Sequence, residues 1–486
     1  MRPFLSAWLV GALIVAAIPA KGAADDKAKP NIVFILADDL GINDLGCYGR
    51  KDQETPRIDR LAKQGLRFTS AYAEPVCSPT RAALLTGKAP ARLHLTTFLP
   101  GRPDTPAQKL LHPKIELQLP LKENTIARLL KEAGYTTACI GKWHLGGAGF
   151  GPEKFGFDVV HAGKANTAPS ATEGGKGEYD LTRRALQFMD DNKDRPFFLY
   201  LAHNNPHVPL GAKPELVQKY RDSFNPTYAA MVNTLDDSVG QVLDKLDELH
   251  LAERTLVVFA SDNGGLHVLE SPNTPATYNT PYRAGKGFLY EGGLRVPAMV
   301  RWPGRVAAGQ TTDVPVNAAD WTPTLLEACG VKSPGPLDGV SLVKLLEGGA
   351  LPARPLFWHF PHYTNQGGRP GGAVREGDWK LIEHYEDGRV ELFNLAKDAS
   401  ETQDLSDAEP KRTADLKGKL SAWRQTVGAQ ENTPNPDFNA ALHKRCYEDL
   451  DVSALKPAAT AALMRPGLEA WRKAMDDVLP RTKKAP

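Results

Sequence analysis

The chain has 486 residues, of which 42% are hydrophobic and 24% are charged, and its formal net charge at pH 7 is +2. These values are typical of a globular protein with about two or three domains. A nearly neutral chain without a dense cluster of Lys and Arg gives no reason to expect nucleic-acid binding. Five cysteines argue against a disulfide scaffold, and their odd number leaves at least one thiol unpaired or paired between chains.

Residues 1–24 have the pattern of an export signal. Arg2 supplies positive charge, an apolar run extends from Ala7 to Ile18, and small residues follow. The run is too short for a comfortable membrane span, so we expect removal of the signal near residues 23–25 and a periplasmic or secreted mature protein. Because no later stretch approaches transmembrane length, we expect no stable membrane insertion.

Four short apolar runs are typical of buried parallel strands, because they are continuously apolar and do not alternate with polar residues. They cover residues 31–37, 136–140, 197–202 and 255–260. Helical patterns lie between them, at residues 55–65, 124–133 and 225–251. This alternation predicts an α/β fold with helices on both faces of a large sheet.

The character of the chain changes after about residue 335. Residues 373–385 and 389–395, joined by Glu386-Asp387-Gly388, have the pattern of an antiparallel hairpin. Helical patterns follow at residues 409–427 and 466–478, and residues 432–457 show only weak periodicity. We therefore predict a catalytic domain at residues 25–335 and a smaller C-terminal α+β subdomain with a helical tail at residues 336–486.

Polar or charged side chains follow each of the four predicted parallel strands. In chain order they are Asp38 and Asp39, then Lys142 and His144, then His203 and His207, then Asp262 and Asn263. Ligands of open α/β sheets bind beyond the carboxyl ends of the strands, so we expect these side chains to meet at one edge.

The two acidic segments at this edge predict a metal site. Asp38, Asp39, Asp262 and Asn263 offer hard oxygen ligands, which suit Ca²⁺ or Mg²⁺. Alone, an Asp-Asp pair also serves as a helix cap, and Asp-Asn-Gly-Gly is usually a turn. Two acidic clusters at one sheet edge would repel each other without a cation, which favours metal binding.

Cys77 stands at the start of a predicted helix. Pro79 fits the first helical turn, where its missing N–H costs nothing, and Gly87 is a typical helix stop. Arg81 returns to the side of the helix that carries Cys77. A reactive side chain at the positive end of a helix, beside a permanent cation, suits an anionic substrate. A buried or disulfide-bonded cysteine is the alternative.

The segment Cys77-Ser78-Pro79-Thr80-Arg81, with a downstream Thr-Gly, resembles the signature of the type I sulfatases of the alkaline phosphatase superfamily. It departs from that signature only at Thr80, where serine is commoner. Further segments match in family order: Asp38-Asp39, Gly141-Lys142-Trp143-His144, Pro206-His207-Val208-Pro209, Asp262-Asn263 and Gly285-Lys286-Gly287. The resemblance extends to about residue 405 and implies an alkaline-phosphatase-like fold with a large mixed, mostly parallel sheet and a C-terminal antiparallel sheet.

The resemblance implies a sulfuric ester hydrolase with a modified nucleophile. A formylglycine-generating enzyme would convert Cys77 to formylglycine (3-oxoalanine), whose hydrate attacks the sulfate ester. One Ca²⁺, with Mg²⁺ the lesser candidate, would be held by Asp38, Asp39, Asp262, Asn263 and residue 77. The implied catalytic residues are Cys77, Arg81, Lys142, His144, His207 and Lys286, of which Lys142, His207 and Lys286 also bind substrate.

Individual roles follow from the same resemblance. Arg81, Lys142 and Lys286 would neutralise the sulfate oxygens, and Lys286 would also contact the leaving oxygen. His207 would protonate the leaving alcohol, with His203 as a competing candidate, and His144 would accept a proton from the second hydroxyl of residue 77. Solvated lysines and surface histidines are the alternatives at these positions.

Two other functions remain open at this point: a phosphate or phosphonate monoester hydrolase of the same superfamily, and a catalytically inactive sulfated-glycan-binding protein. The expected substrates are sulfated glycans, with an environmental polysaccharide as the first expectation, and also aryl sulfates. Loops 94–108, 163–177, 264–280 and 358–372 are expected to determine specificity. Candidate sugar contacts in these loops are His94, His267, His359, His362 and Tyr363.

Overall fold

The computed structural model describes residues 29–164 and 169–480, and the export signal predicted at residues 1–24 lies outside them. Within the described ranges the strands are β1 (Asn31–Ala37), β2 (Leu66–Tyr72), β3 (Leu110–Leu111), β4 (Thr136–Gly141), β5 (Val159–Ala162), β6 (Phe197–Ala202), β7 (Thr255–Ser261), β8 (Arg295–Arg301), β9 (Gln310–Thr312), β10 (Val316–Asn317), β11 (Leu356–Phe360), β12 (Gly371–Glu376), β13 (Trp379–His384), β14 (Val390–Asn394) and β15 (Thr433–Pro434). The helices are α1 (Pro56–Lys63), α2 (Cys77–Thr86), α3 (Pro90–Leu93), α4 (Ile126–Glu132), α5 (Glu178–Asp191), α6 (Pro214–Lys219), α7 (Pro226–Glu248), α8 (Glu291–Leu294), α9 (Trp321–Ala328), α10 (Val343–Leu346), α11 (Pro410–Val427), α12 (Ala440–Tyr447) and α13 (Ala461–Asp477). The four predicted parallel strands are confirmed as β1, β4, β6 and β7.

The large sheet is mixed and mostly parallel, as predicted. In the described part of the chain it has nine strands, in the order β10-β2-β8-β7-β1-β6-β4-β5, with β9 also paired to β2. β1 is parallel to β6 and β7, and β4 is parallel to β5 and β6, whereas β8 is antiparallel to β2 and β7. Because β1, β4, β6 and β7 run in one direction, their carboxyl ends reach the same edge of the sheet.

The central strands are buried on both faces. Along β1, Val33 and Ile35 belong to one hydrophobic core, whereas Ile32 and Phe34 belong to another. Residues of α1, α5 and α7 complete the first core, and residues of α2, α4 and α9 complete the second. A strand with helices on both sides has no face that must stay polar, which explains the continuously apolar runs.

The C-terminal part contains a separate antiparallel sheet with the strand order β11-β12-β13-β14. The prediction of one strand at residues 373–385 is wrong, because the chain turns at Gly377, whose φ is 57°, between β12 and β13. The turn predicted at residues 386–388 is confirmed between β13 and β14. Leu416 and Leu420 of α11 pack on this sheet. The helix predicted at 466–478 begins earlier, and the unassigned segment 432–457 contains α12.

A buried ionic network joins the two sheets. Lys380 Nζ in β13 lies 2.9 Å from Glu291 Oε1 and 2.9 Å from Glu401 Oε1, and all three side chains are fully buried. The hydroxyl of Tyr72 donates to Glu291 Oε2 at 2.7 Å, and Arg295 Nε lies 2.8 Å from the same oxygen. The network therefore ties the C-terminal sheet to β2 of the main sheet and to α8, which leads directly into β8.

None of the helices in the described ranges is both long enough and apolar enough to cross a membrane. All five cysteines lie in those ranges, and each is a free thiol. Cys77 is therefore not held in a disulfide, which removes one of its two alternative explanations.

Candidate active site

The predicted site residues meet at the carboxyl edge of the large sheet. Ala37, the last residue of β1, is level with Ser261 at the end of β7, and Gly141 of β4 is level with Ala202 of β6. The residues that follow these four positions are the polar side chains singled out in the sequence. The strand register alone therefore places Asp38 at the same edge of the sheet as the segments that follow the other three strands.

Cys77 occupies the first residue of α2 and is 2% exposed. The helix ends at Gly87, whose φ of 68° places it in the left-handed region that favours glycine. Cys77 Sγ lies 3.2 Å from Nδ1 of His144. His144 Nε2 donates to the carbonyl of Leu99 at 2.8 Å, so Nδ1 of the neutral ring is the acceptor that faces residue 77.

Arg81 links α2 to two strand ends. Its Nε and Nη2 donate to Asp262 Oδ2 at 3.0 and 2.7 Å, and its Nη1 donates to the carbonyl of Lys142 at 2.8 Å. The side chain is fully buried, and although burial opposes it, the pKa of the guanidinium is raised because Asp262 and the other acidic groups around it together favour the charged form. A fixed cation therefore stands one helical turn from Cys77.

Two buried lysines pair with the two aspartates after β1. Lys142 Nζ lies 2.6 Å from Asp38 Oδ2, and Lys286 Nζ lies 2.7 Å from Asp39 Oδ2. Burial alone would raise the pKa of Asp38, but the surrounding positive groups, Lys142 foremost, together outweigh it and hold the pKa well below its usual range. Burial together with the charge of Asp38 raises the pKa of Asp262 to about 8. The edge thus holds three carboxyl groups and three cations within a small buried volume.

The donor set fits a divalent cation. Asp38 Oδ1 and Asn263 Oδ1 are buried and accept no hydrogen bond. Asn263 Nδ2 donates to Asp39 Oδ1 at 2.8 Å, which leaves the amide oxygen available as a ligand. Oxygen atoms from aspartate and asparagine are the ligands that Ca²⁺ prefers. Asp38, Asp39, Asp262 and Asn263 therefore supply oxygen donors of the kind that a hard cation requires, two of them without a hydrogen-bond partner.

His207 and Asn263 approach different carboxylate oxygens of Asp39. His207 Nδ1 donates to the carbonyl of Val208 at 2.5 Å, and its Nε2 lies 3.6 Å from Asp39 Oδ2. Burial and the charge of Lys286 lower the pKa of His207 to about 4, and burial and Lys142 lower that of His144 to about 4. Asp38, Asp39 and His207 also lie close enough together to share a metal ion.

The sequence did not single out Glu178 or Lys176. Glu178 Oε1 accepts hydrogen bonds from the backbone N–H groups of Asn204 and Asn205, each at 3.0 Å, and its Oε2 lies 2.5 Å from His203 Nδ1. Asn205 in turn accepts a hydrogen bond from the N–H of Asp38 at 3.1 Å. Buried Glu178 thus holds the segment that leads to His207, and His203 serves this structural purpose.

Lys176 is 1% exposed, and its Nζ donates to the carbonyl of Val208 at 2.7 Å, the same oxygen that His207 contacts. The glycines on either side of Lys176 were the sequence signal that could have drawn attention to it. Glu178 carried no such signal, because its partners are backbone groups from a distant loop.

The predicted specificity loops meet near Lys286. Gln366 Nε2 donates to Glu270 Oε2 at 2.6 Å, and Thr96 Oγ1 lies 2.7 Å from His362 Nε2. These contacts join loops 94–108, 264–280 and 358–372, while loop 163–177 is described except at residues 165–168. The candidate sugar contacts all make hydrogen bonds within the protein instead: His94, His267, His359, His362 and Tyr363.

Comparison with known proteins assigns this fold and site to a class. Residues 30–331 match the family model described as Sulfatase, and residues 284–426 match the model described as N-sulphoglucosamine sulphohydrolase, C-terminal. The crystal structure of Ps i-CgsB in complex with k-i-k-neocarrahexaose superposes with a TM-score of 0.71 and 32% identity, covering 82% of this chain and 93% of the other. The class is that of the hydrolases with an alkaline-phosphatase-like fold.

Relatives among characterised proteins narrow the class. N-acetylgalactosamine-6-sulfatase of Canis lupus familiaris is 35% identical over 396 residues, which cover 74% of each chain. Arylsulfatase A of Homo sapiens is 35% identical over 395 residues, covering 72% of this chain and 74% of the other. The chain belongs to the sulfatase family of the alkaline phosphatase superfamily and is a sulfuric ester hydrolase.

Proposed function

We propose that this protein hydrolyses sulfate esters of glycans, and also aryl sulfates, with formylglycine at position 77 as the nucleophile and one Ca²⁺ as the metal. The observation that supports this proposal most strongly is the meeting of Cys77 with three cations and three acidic side chains at one sheet edge. Such a site stabilises a transferring anionic group by positioning and by charge.

The modification supplies a nucleophile that cysteine itself lacks. During maturation a formylglycine-generating enzyme would oxidise the Cys77 side chain to an aldehyde, with an external oxidant such as O2 accepting the electrons and the sulfur leaving as sulfide, and the aldehyde would then hydrate to a geminal diol. One hydroxyl of this diol attacks sulfur, and the second lets the enzyme expel sulfate and recover the aldehyde. His144, whose Nδ1 faces residue 77 at 3.2 Å, is positioned to accept the proton of that second hydroxyl.

The remaining residues bind and neutralise the ester. Lys142 and Lys286 offer ammonium groups to the sulfate oxygens, and Arg81 holds Asp262 and the Lys142 backbone in place. A divalent ion held by Asp38, Asp39, Asp262 and Asn263, when bound, supplies Lewis acidity toward the sulfate and the attacking oxygen. His207, whose Nδ1–H is held by the carbonyl of Val208, would protonate the leaving alcohol from Nε2 in its imidazolium form.

The substrate class is proposed from the relatives. One relative is named N-acetylgalactosamine-6-sulfatase, and one structural neighbour is in complex with k-i-k-neocarrahexaose. We also propose export, on the basis of the charged, apolar and small-residue pattern of residues 1–24. Mass determination of the mature N-terminus tests export, because an uncleaved Met1 in the natural host would contradict it.

A matched pair of cysteine variants tests the mechanism. Cys77→Ala should abolish hydrolysis of an aryl sulfate while the unfolding transition is retained, whereas Cys139→Ala, which changes another buried thiol, should keep the activity. Mass spectrometry of the peptide with residue 77, isolated from the natural host, should show formylglycine or its hydrate. Sustained turnover by Cys77→Ala, or faster hydrolysis of the matching aryl phosphate, would refute the proposal.

A further inference from the structure

A cavity separate from the active site lies between the main sheet and the C-terminal sheet. Its volume is about 210 Å³, and it is enclosed by three parts of the chain, namely residues 283–290, strands β12 to β14 with the preceding loop, and residues 446–453. None of the residues proposed for catalysis or metal binding lines it. We propose that this cavity is an accessory site for an anionic sugar of a sulfated glycan.

Three arginines give the cavity an excess of hydrogen-bond donors. Arg283, Arg369 and Arg389 line it together with Glu391 and Asp451, so its formal charge is positive. Each guanidinium has five N–H donors, far more than these two carboxylates can accept. A ligand rich in acceptor oxygens, with a sulfate or carboxylate group, is the chemistry that this lining recognises.

Glu391 organises the cationic wall. It accepts hydrogen bonds from Tyr290 at 2.6 Å and from His384 at 2.8 Å, and its Oε1 lies 3.1 Å from Arg389 Nη1. Arg283 stacks on the ring of Tyr290, with its Cζ 3.9 Å from the ring centre. These contacts fix the positions of the cations before any ligand binds, which lowers the entropic penalty of binding.

The arginines at the mouth of the cavity are accessible. The side chain of Arg389 is 50% exposed and that of Arg369 is 35% exposed, whereas Arg283, at 18%, lies deeper. Arg369 holds Glu386 at 3.2 Å and the carbonyl of Tyr447 at 3.3 Å, so part of its donor set remains for a ligand. An anionic group can therefore approach from solvent and meet the deeper cation.

The cavity is close to the active site along the chain. Arg283 precedes Lys286 by three residues, and consecutive Cα atoms are about 3.8 Å apart, so their Cα atoms are at most about 11 Å apart. Lys286 faces Asp39, and Phe288 and Leu289 line the cavity. A single segment thus separates the two sites, which suits a polymer that carries an anionic group on more than one sugar. This inference rests on the proposed glycan specificity.

The test compares oligosaccharides with a small ester. In the Cys77→Ala background, binding of sulfated hexasaccharides of carrageenan, chondroitin 6-sulfate and heparin is measured by calorimetry, with and without the double change Arg369→Ala and Arg389→Ala. We expect the tightest hexasaccharide to bind at least about tenfold more weakly to the double variant. With Cys77 intact, the ratio of kcat/KM for the hexasaccharide to that for an aryl sulfate should fall by a similar factor.

Arg305→Ala is the matched control, since Arg305 is 46% exposed and pairs with Glu347 on another part of the surface. It should change neither the affinity nor the ratio. Equal hexasaccharide affinity in the double variant and its parent, or no hexasaccharide binding by the parent, would overturn the accessory site. Absence of aryl sulfate hydrolysis by the enzyme without any substitution would instead count against the proposed function.

Discussion

Replacement of Lys380 by methionine should destabilise the protein strongly. Lys380 is fully buried and is 2.9 Å from a carboxylate oxygen of both Glu291 and Glu401. Methionine has a similar length and no charge, so the variant keeps the packing and leaves the two carboxyl groups without their shared cation. Removal of one partner from a buried ion pair typically lowers the free energy of unfolding by about 3–5 kcal/mol.

The loss should depend on pH in a defined direction. Burial raises the pKa of Glu401 from 4.5 to about 7, although Lys380 opposes the increase. A carboxyl group whose pKa is raised by folding stabilises the protein below its unfolded pKa, and this stabilisation is lost as the pH rises through the folded pKa. Without Lys380 the pKa of Glu401 rises further. The deficit of the variant should therefore be larger at pH 8 than at pH 5.

Urea unfolding of both proteins at pH 5 and pH 8 measures the effect. Lys419→Met is the control, because Lys419 also contacts two carboxylates, Glu376 at 2.6 Å and Asp415 at 2.9 Å, but is 38% exposed. Exposed ion pairs contribute little, so this control should lose far less stability. Equal losses in Lys380→Met and Lys419→Met, or a deficit that grows as the pH falls to 5, would refute the reasoning.

Two further changes test the geometry of the active-site edge. Gly141→Ala should prevent accumulation of folded protein, because the added Cβ would lie 1.8 Å from the carbonyl oxygen of Ala202. Gly134 also has a positive φ, but the space around it is open. Gly134→Ala should therefore lower the free energy of unfolding by only about 1–2 kcal/mol in a thermal unfolding assay. Ca²⁺ added after chelation should raise the melting temperature, since a ligand at 100 times its Kd stabilises by about 2.7 kcal/mol. This rise in melting temperature should vanish in Asp38→Asn. It should persist in the control Asp247→Asn, which changes an exposed carboxylate. The same rise in both variants would exclude the proposed metal site.

Local sequence was sufficient to predict four of the nine strands of the large sheet, namely β1, β4, β6 and β7, and the polar groups at their ends. β1 and β6 begin and end at the predicted residues, because a strand covered by helices on both faces must be apolar throughout. Parallel strands share an edge, so the position of Asp38 and Asp262 after two such strands already indicated a common site. The helix at Cys77 and its end at Gly87 followed from backbone preferences that act within a few residues.

Tertiary structure decided what the sequence could not indicate. The partners of Lys142 and Lys286, the hold of Glu178 on the segment before His207, and the burial of Lys380 all depend on groups far away in the chain. A charged side chain has the same local pattern whether it faces solvent or a buried counter-charge. Only the packing of distant segments against one another determines whether such a side chain is solvated or paired in the interior. The same packing therefore sets the charge balance of the active site and of the neighbouring cavity.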